Sequence, residues 1–188
     1  MGQEKKPEGG EKKKLKGQSF QREFLVFLIL FFIIWLLSYL LTRRFPGFVD
    51  WGKVVVAREV AFVLKRLGYT FTMTGSILTF YTPHGGERLE VIPECTALYT
   101  SIIYFSILGG YPARVGEKLM GLLIGLPAIH ALNLVRMVFI ALIMIHKPKL
   151  FDFFHGYLWQ VGFVIFMLLL VILWMWKIVK PKPAREAL

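Results

Sequence analysis

The chain predicts an α-helical polytopic membrane protein of about four transmembrane helices, with an interfacial amphipathic helix and a short extracytoplasmic β-hairpin. Three observations carry that class. The 188 residues are 56% hydrophobic and 15% aromatic, with a mean hydropathy of +0.58, too apolar for an ordinary soluble domain of this length. The apolar residues gather in runs near the roughly 20 residues that cross a bilayer. The net charge of +11 lies mostly in the two tails, where it acts as a topological signal. No aromatics are interleaved with the N-terminal lysines, which argues against a nucleic-acid surface.

Residues 1–22 carry seven Lys and Arg against three Glu with no apolar periodicity, the pattern of a disordered basic cytoplasmic tail. A membrane domain follows over 23–178, and a second cytoplasmic tail over 179–188. The first span is 24–41, an unbroken apolar run too long and too far from the terminus for a signal peptide. The outer segment 42–94 breaks that pattern. Within it, Val56, Val60, Val63 and Leu67 recur at steps of three and four among Lys53, Arg58, Glu59, Lys65 and Arg66, an amphipathic helix for the interface or the bundle surface. Beyond Gly68, alternation over Tyr69–Thr74, Ser76–Tyr81 and Arg88–Ile92, with a turn at Pro83-His84-Gly85-Gly86, predicts short strands. The second span, 95–110, is short and begins behind Pro93. The third, 119–145, contains Pro127, His130, Asn133 and Arg136; a polar and aromatic loop leads to the fourth, 157–176, with Trp159, Trp174 and Trp176 placed as interfacial anchors.

Thirteen Lys and Arg lie in the tails and the loop between spans two and three, against nine spread along the two longer outer segments. That density predicts both termini inside. Cys95 and His155 then share the outer side.

Cys95 is the only cysteine, so it forms no internal disulfide and is either packing or reactive. Taken alone it reads as a small buried hydrophobe. Its place in the first turn of a helix adds the positive end of a dipole, and a nearby imidazolium or guanidinium would lower its pKa further. Arg136, roughly 13 Å below the outer end of its span, is costly in a bilayer and needs a partner or a watery cavity, with Asn133 one turn away to orient it. Taken alone, a structural arginine satisfied by carbonyls or headgroups reads as well. His155 opens the last span, and an isolated interfacial histidine is ordinarily a solvated side chain. Its competitors are His84 in a turn, His146 at a helix end, and His130, some 9 Å deeper than Arg136. A thiol, an imidazole and a guanidinium on one membrane face suit acyl transfer: thiolate attack, proton transfer and oxyanion stabilisation.

The order of Cys95 at the head of a span, Asn133-x-x-Arg136 in the next, and His155-Gly156 opening the last resembles the exosortase and archaeosortase family of polytopic cysteine transpeptidases, nearer archaeosortase. The resemblance covers roughly residues 50 to 175. Where many members have Cys-Ser-Gly or Cys-Thr-Gly, this chain has Cys95-Thr96-Ala97, and it has fewer spans than many. The resemblance implies a plasma-membrane enzyme with its site on the extracytoplasmic face. Its partners would be exported proteins ending in a sorting signal of signature motif, hydrophobic helix and basic end. It would cut near the signature and pass the new C-terminus to a membrane lipid or other acceptor. In these terms Cys95 forms a thioester, His155 protonates the leaving amine and then activates the acceptor, and Arg136 steadies the oxyanion or thiolate, with Asn133 and Thr96 in support. No cofactor, metal or nucleic acid is needed. Two other readings fit the residues: a non-enzymatic transporter or assembly subunit in which Cys95 packs, and a protease that gives its acyl-enzyme to water.

Overall fold

The computed structural model describes residues 8–82 and 85–179; expected features on 1–7, on Pro83 and His84, and on 180–188 lie outside them. Helix α1 spans Glu8–Arg44, beginning within the segment expected to be a disordered tail. Lys, Glu, Leu and Gln are good helix formers, and once the apolar run has nucleated a helix each added residue contributes a hydrogen bond.

Helix α2, Pro46–Arg66, opens on a proline in its first turn and buries Val56, Ala57, Val60 and Leu64. A three-stranded antiparallel sheet follows, in the order β1 (Phe71–Thr74), β2 (Ile77–Thr82), β3 (Gly85–Glu90). It has one strand more than a hairpin. Its pairing places Leu78 opposite Leu89 on the buried face, and Gly75, at φ 62°, closes the β1–β2 turn in a conformation that costs glycine nothing.

A 3₁₀ turn over Pro93–Thr96 leads into α3, Leu98–Gly110. The expected second span is therefore a helix of 13 residues, about 20 Å at 1.5 Å per residue. Among the described residues three helical stretches are long and apolar enough to cross a membrane, Gln21–Arg44, Val115–His146 and Pro148–Lys177, with Leu98–Gly110 shorter. Hydropathy alone extends the apolar run back to Cys95. The backbone does not follow, because Ala97 is left-handed and helix α3 begins only after it.

Helix α4, Val115–His146, starts with one arm of a capping box, the Arg114 amide donating to Glu117 Oε2 at 2.9 Å, and it continues unbroken through Pro127. The expected loop after it is wound into helical turns: a 3₁₀ turn at Pro148–Leu150 and a π turn at Phe153–Leu158 that runs into α5, Trp159–Lys177.

Two apolar clusters hold these elements together. The upper one joins Val56, Val60 and Leu64 of α2, Leu78, Phe80 and Leu89 of the sheet, and Met137, Ile140, Ala141 and Met144 of α4, with Cys95 among them. The lower one joins Ala97, Tyr104, Leu108, Ile129, Phe163 and Trp174. Close approach here needs glycine: a Cβ on Gly121 would meet Trp174 and Leu108, and one on Gly125 would meet the Tyr104 ring. Tyr104 Oη donates to the Gly121 carbonyl at 3.0 Å, and Trp174 Nε1 to that of Glu117 at 2.8 Å. Trp174 is thus a buried strut, while Trp176 remains exposed.

Candidate active site

Pro93 fixes the first residue of the 3₁₀ turn, and the Cys95 amide donates to the Ile92 carbonyl at 2.9 Å. Thr96 closes the turn, its hydroxyl donating to the Pro93 carbonyl at 2.7 Å. Asn133, fully buried on α4, donates through Nδ2 to the Cys95 carbonyl at 2.7 Å. The cysteine therefore lies level with Asn133, thirteen residues before the end of α4, or about 20 Å along its axis. That removes the depth mismatch expected between Cys95 and Arg136, since the upper part of α4 rises past the cysteine to support the sheet.

Ala97 has φ 57°, the single non-glycine residue at positive φ among the described residues. It stands where the family resemblance leads one to expect glycine, and a left-handed alanine costs roughly 1–2 kcal/mol. Against that relief, glycine would lose about 0.8 kcal/mol of methyl burial and roughly 0.4–1 kcal/mol through the unfolded chain. Ala97→Gly should therefore be near-neutral in thermal unfolding. Ala97→Val should cost about 2 kcal/mol or more, because a β-branched residue is a true outlier there and the site is buried.

Cys95 is 2% exposed. Burial pushes its thiol pKa above the ordinary value, outweighing a backbone hydrogen bond at Ile92 and the charge of Arg136, both of which lower it; Glu94 adds a smaller upward push. The low-pKa thiol expected at a helix start is not what the fold builds. Labelling by a membrane-impermeant maleimide should be slow at neutral pH and still accelerating above about pH 9, where a standing thiolate would give a flat, fast profile.

Arg136 acts electrostatically on both Cys95 and His155, and its guanidinium lies over the Phe163 ring, 5.6 Å from the centroid. His155 sits in the π turn with its ring stacked on Phe151 at 5.2 Å and Asp152 near enough to act on it. A π turn is a recurrent device for redirecting a side chain at functional sites. Four buried polar atoms around this cluster have no hydrogen-bond partner: Asn133 Oδ1, Arg136 Nε, His155 Nδ1 and Trp159 Nε1. Buried polar atoms are rarely left so, and each calls for a partner that the protein itself does not supply.

Trp159 was expected at the interface. It packs instead against Phe139 at 5.7 Å and against the cluster that contains Cys95, one turn beyond His155. Its indole N–H is invisible to a reading by hydropathy, which counts tryptophan only as a membrane anchor. His146 is occupied elsewhere, by Tyr69 Oη at 3.3 Å and the Leu142 carbonyl at 2.9 Å. His130 faces Glu59 of α2, at 2.9 Å, a pairing across 71 residues that no local pattern announces.

The sequence profile of a family described as transmembrane exosortase matches residues 15–175. Archaeosortase A of Haloferax volcanii is 40% identical over 93 residues, which are 46% of this chain and 31% of that protein's length. No solved structure matches the chain.

Proposed function

The chain belongs to the transmembrane exosortase family, and on that premise we propose that it is a membrane cysteine transpeptidase. Its substrates are exported proteins with a C-terminal sorting signal. It passes their new C-terminus to a membrane lipid or another acceptor. The observation that carries this reading is the cluster of orphaned polar atoms on Asn133, Arg136, His155 and Trp159 beside the chain's single thiol.

In this reaction His155 takes the Cys95 proton as the thiol meets the scissile carbonyl. The C–S bond forms, Arg136 stabilises the charge on oxygen, and the C–N bond breaks as His155 returns the proton to the leaving amine. The thioester then yields to the acceptor, whose proton passes to His155 and on to the departing thiolate. Because burial holds Cys95 as the thiol, the mechanism needs His155 to take its proton as the substrate binds, after which the thiolate attacks. Asn133 holds the backbone of Cys95, and Thr96 shapes its turn. The charge distribution along the chain favours termini inside and this site outside.

The test is to trap the intermediate. The full chain, mixed with a cleavable reporter protein in detergent and quenched in acid, should carry an adduct on Cys95 equal in mass to the reporter's N-terminal fragment. Hydroxylamine should release it. Turnover of the reporter by the unaltered chain with no such adduct at any quench time, with or without hydroxylamine, would remove the thioester from the mechanism.

A further inference from the structure

We propose that the groove between α2 and α4, headed by the Glu59–His130 pair, holds the acceptor of the second half-reaction: an amphiphile whose head group bears an amine or hydroxyl. This rests on the transpeptidase reading above and assigns a site to its unlocated partner.

The groove encloses about 270 Å³ and is lined by Phe48, Trp51, Thr96 and Ser101 together with Glu59 and His130. His130 Nε2 lies 2.9 Å from Glu59 Oε2, yet that oxygen is buried and takes no hydrogen bond. The two are within ion-pair distance without hydrogen-bond geometry, so the carboxylate retains an unused acceptor. The carboxylate and the imidazole face the groove from two helices, one of them membrane-spanning, with 35% and 45% of their side chains exposed; such residues pair with one another or mark a path for a polar ligand. An unsatisfied carboxylate oxygen recognises a donor, the ammonium or hydroxyl at the free end of a head group.

The rest of the groove suits hydrocarbon. Phe48 and Trp51 are 55% and 62% exposed along α2, large apolar side chains that a lipid tail would cover. The groove also reaches Thr96, the residue next to Cys95. On α4, His130, Asn133 and Arg136 follow at steps of three, each rotated by about 60° and raised by about 4.5 Å. Asn133, in the middle, holds the Cys95 carbonyl, and Thr96, the next residue, lines the groove. Along α4 the Asn133 bond to the Cys95 turn thus lies between Arg136 and the groove-lining His130.

The test uses the full chain in vesicles of phosphatidylglycerol and phosphatidylethanolamine, a reporter that the unaltered protein cleaves, and added hydroxylamine. Hydroxylamine is small, water-borne and independent of an apolar groove. Mass spectrometry of the reporter's new C-terminus distinguishes ester to the glycerol hydroxyl, amide to the ethanolamine, hydroxamate and free acid. Glu59→Gln and His130→Ala should each lower the ratio of lipid adduct to hydroxamate by about tenfold, the effect of one charged hydrogen bond. An unchanged ratio in both variants overturns the proposal, as does a parallel loss of all products, which would make the pair structural. Absence of any lipid adduct from the unaltered protein overturns it too. A Cys95→Ala control that still cleaves would instead bring down the transpeptidase reading, and this proposal with it.

Discussion

Replacing Cys95 with alanine should reduce processing of a sorting-signal substrate by a factor on the order of 10⁴ or more, below detection in cells, while the protein still inserts and folds. The two halves of that expectation have separate causes. Catalysis is lost because no other side chain at the site can form the covalent intermediate. The fold survives because alanine in the upper cluster removes only one small apolar group, about 1 kcal/mol. Serine is the poorer control. It would put a hydroxyl among Val56, Val60, Met137 and Ile140, and an unpaired buried hydroxyl costs roughly 1–3 kcal/mol. The measurement is the ratio of uncleaved to cleaved substrate by immunoblot, with membrane abundance of the enzyme scored alongside. Normal processing in an abundant Cys95→Ala variant would exclude the thiol from the reaction.

The second large effect is expected at Arg136. Arg136→Ala should lower kcat by about 10²–10³, the scale of removing one oxyanion donor, and Arg136→Lys should recover part of it, keeping the charge but not the planar fork. Stability should move little, or upward. Arg136 makes no salt bridge among the described residues, and its Nε is buried without a partner, so its desolvation is poorly compensated. What truncation loses is the contact with Phe163, about 0.5–2 kcal/mol. Activity and stability should therefore part company, which thermal unfolding and single-turnover cleavage can read on the same preparation. A variant that lost both together would mark Arg136 as a structural residue.

Much of this was legible because it follows from periodicity and polarity. The buried face of α2 shows in the spacing of Val56 and Val60, but Val63 is half-buried and Leu67, past the helix end, is exposed. Alternation shows the first two strands, whereas β3 is Gly85–Glu90 and begins inside the expected turn rather than running over Arg88–Ile92. The order of Cys95, Asn133, Arg136 and His155 along successive apolar runs suggested them as a group, and the fold bonds Asn133 to the Cys95 carbonyl and sets Arg136 near enough to act on both Cys95 and His155. What stayed hidden depends on backbone angles and on contacts distant in sequence. Ala97 counts as apolar in any hydropathy window, yet its left-handed φ ends the 3₁₀ turn and shortens α3. The height of Cys95 on α4 depends on a hydrogen bond from Asn133 across 38 residues. Composition puts a thiol near a helix dipole, but the sheet and α2 fold over it, and burial reverses the direction of its pKa. Trp159 and Glu59 each had an ordinary surface reading, and only packing shows that the indole N–H and one carboxylate oxygen are enclosed.

The bond from Asn133 to the Cys95 carbonyl has a mechanical consequence. A nucleophile carried on a loop moves with the loop, but this one is tied through its own peptide group to the middle of a 32-residue helix. Apolar helices answer a change in bilayer thickness by tilting. Any tilt of α4 carries the thiol and Arg136 together, so their spacing is preserved while their height relative to the lipid changes. On the proposed function, a thinner or thicker bilayer would shift where along a substrate tail the bond is presented while the spacing of thiol and guanidinium stays fixed.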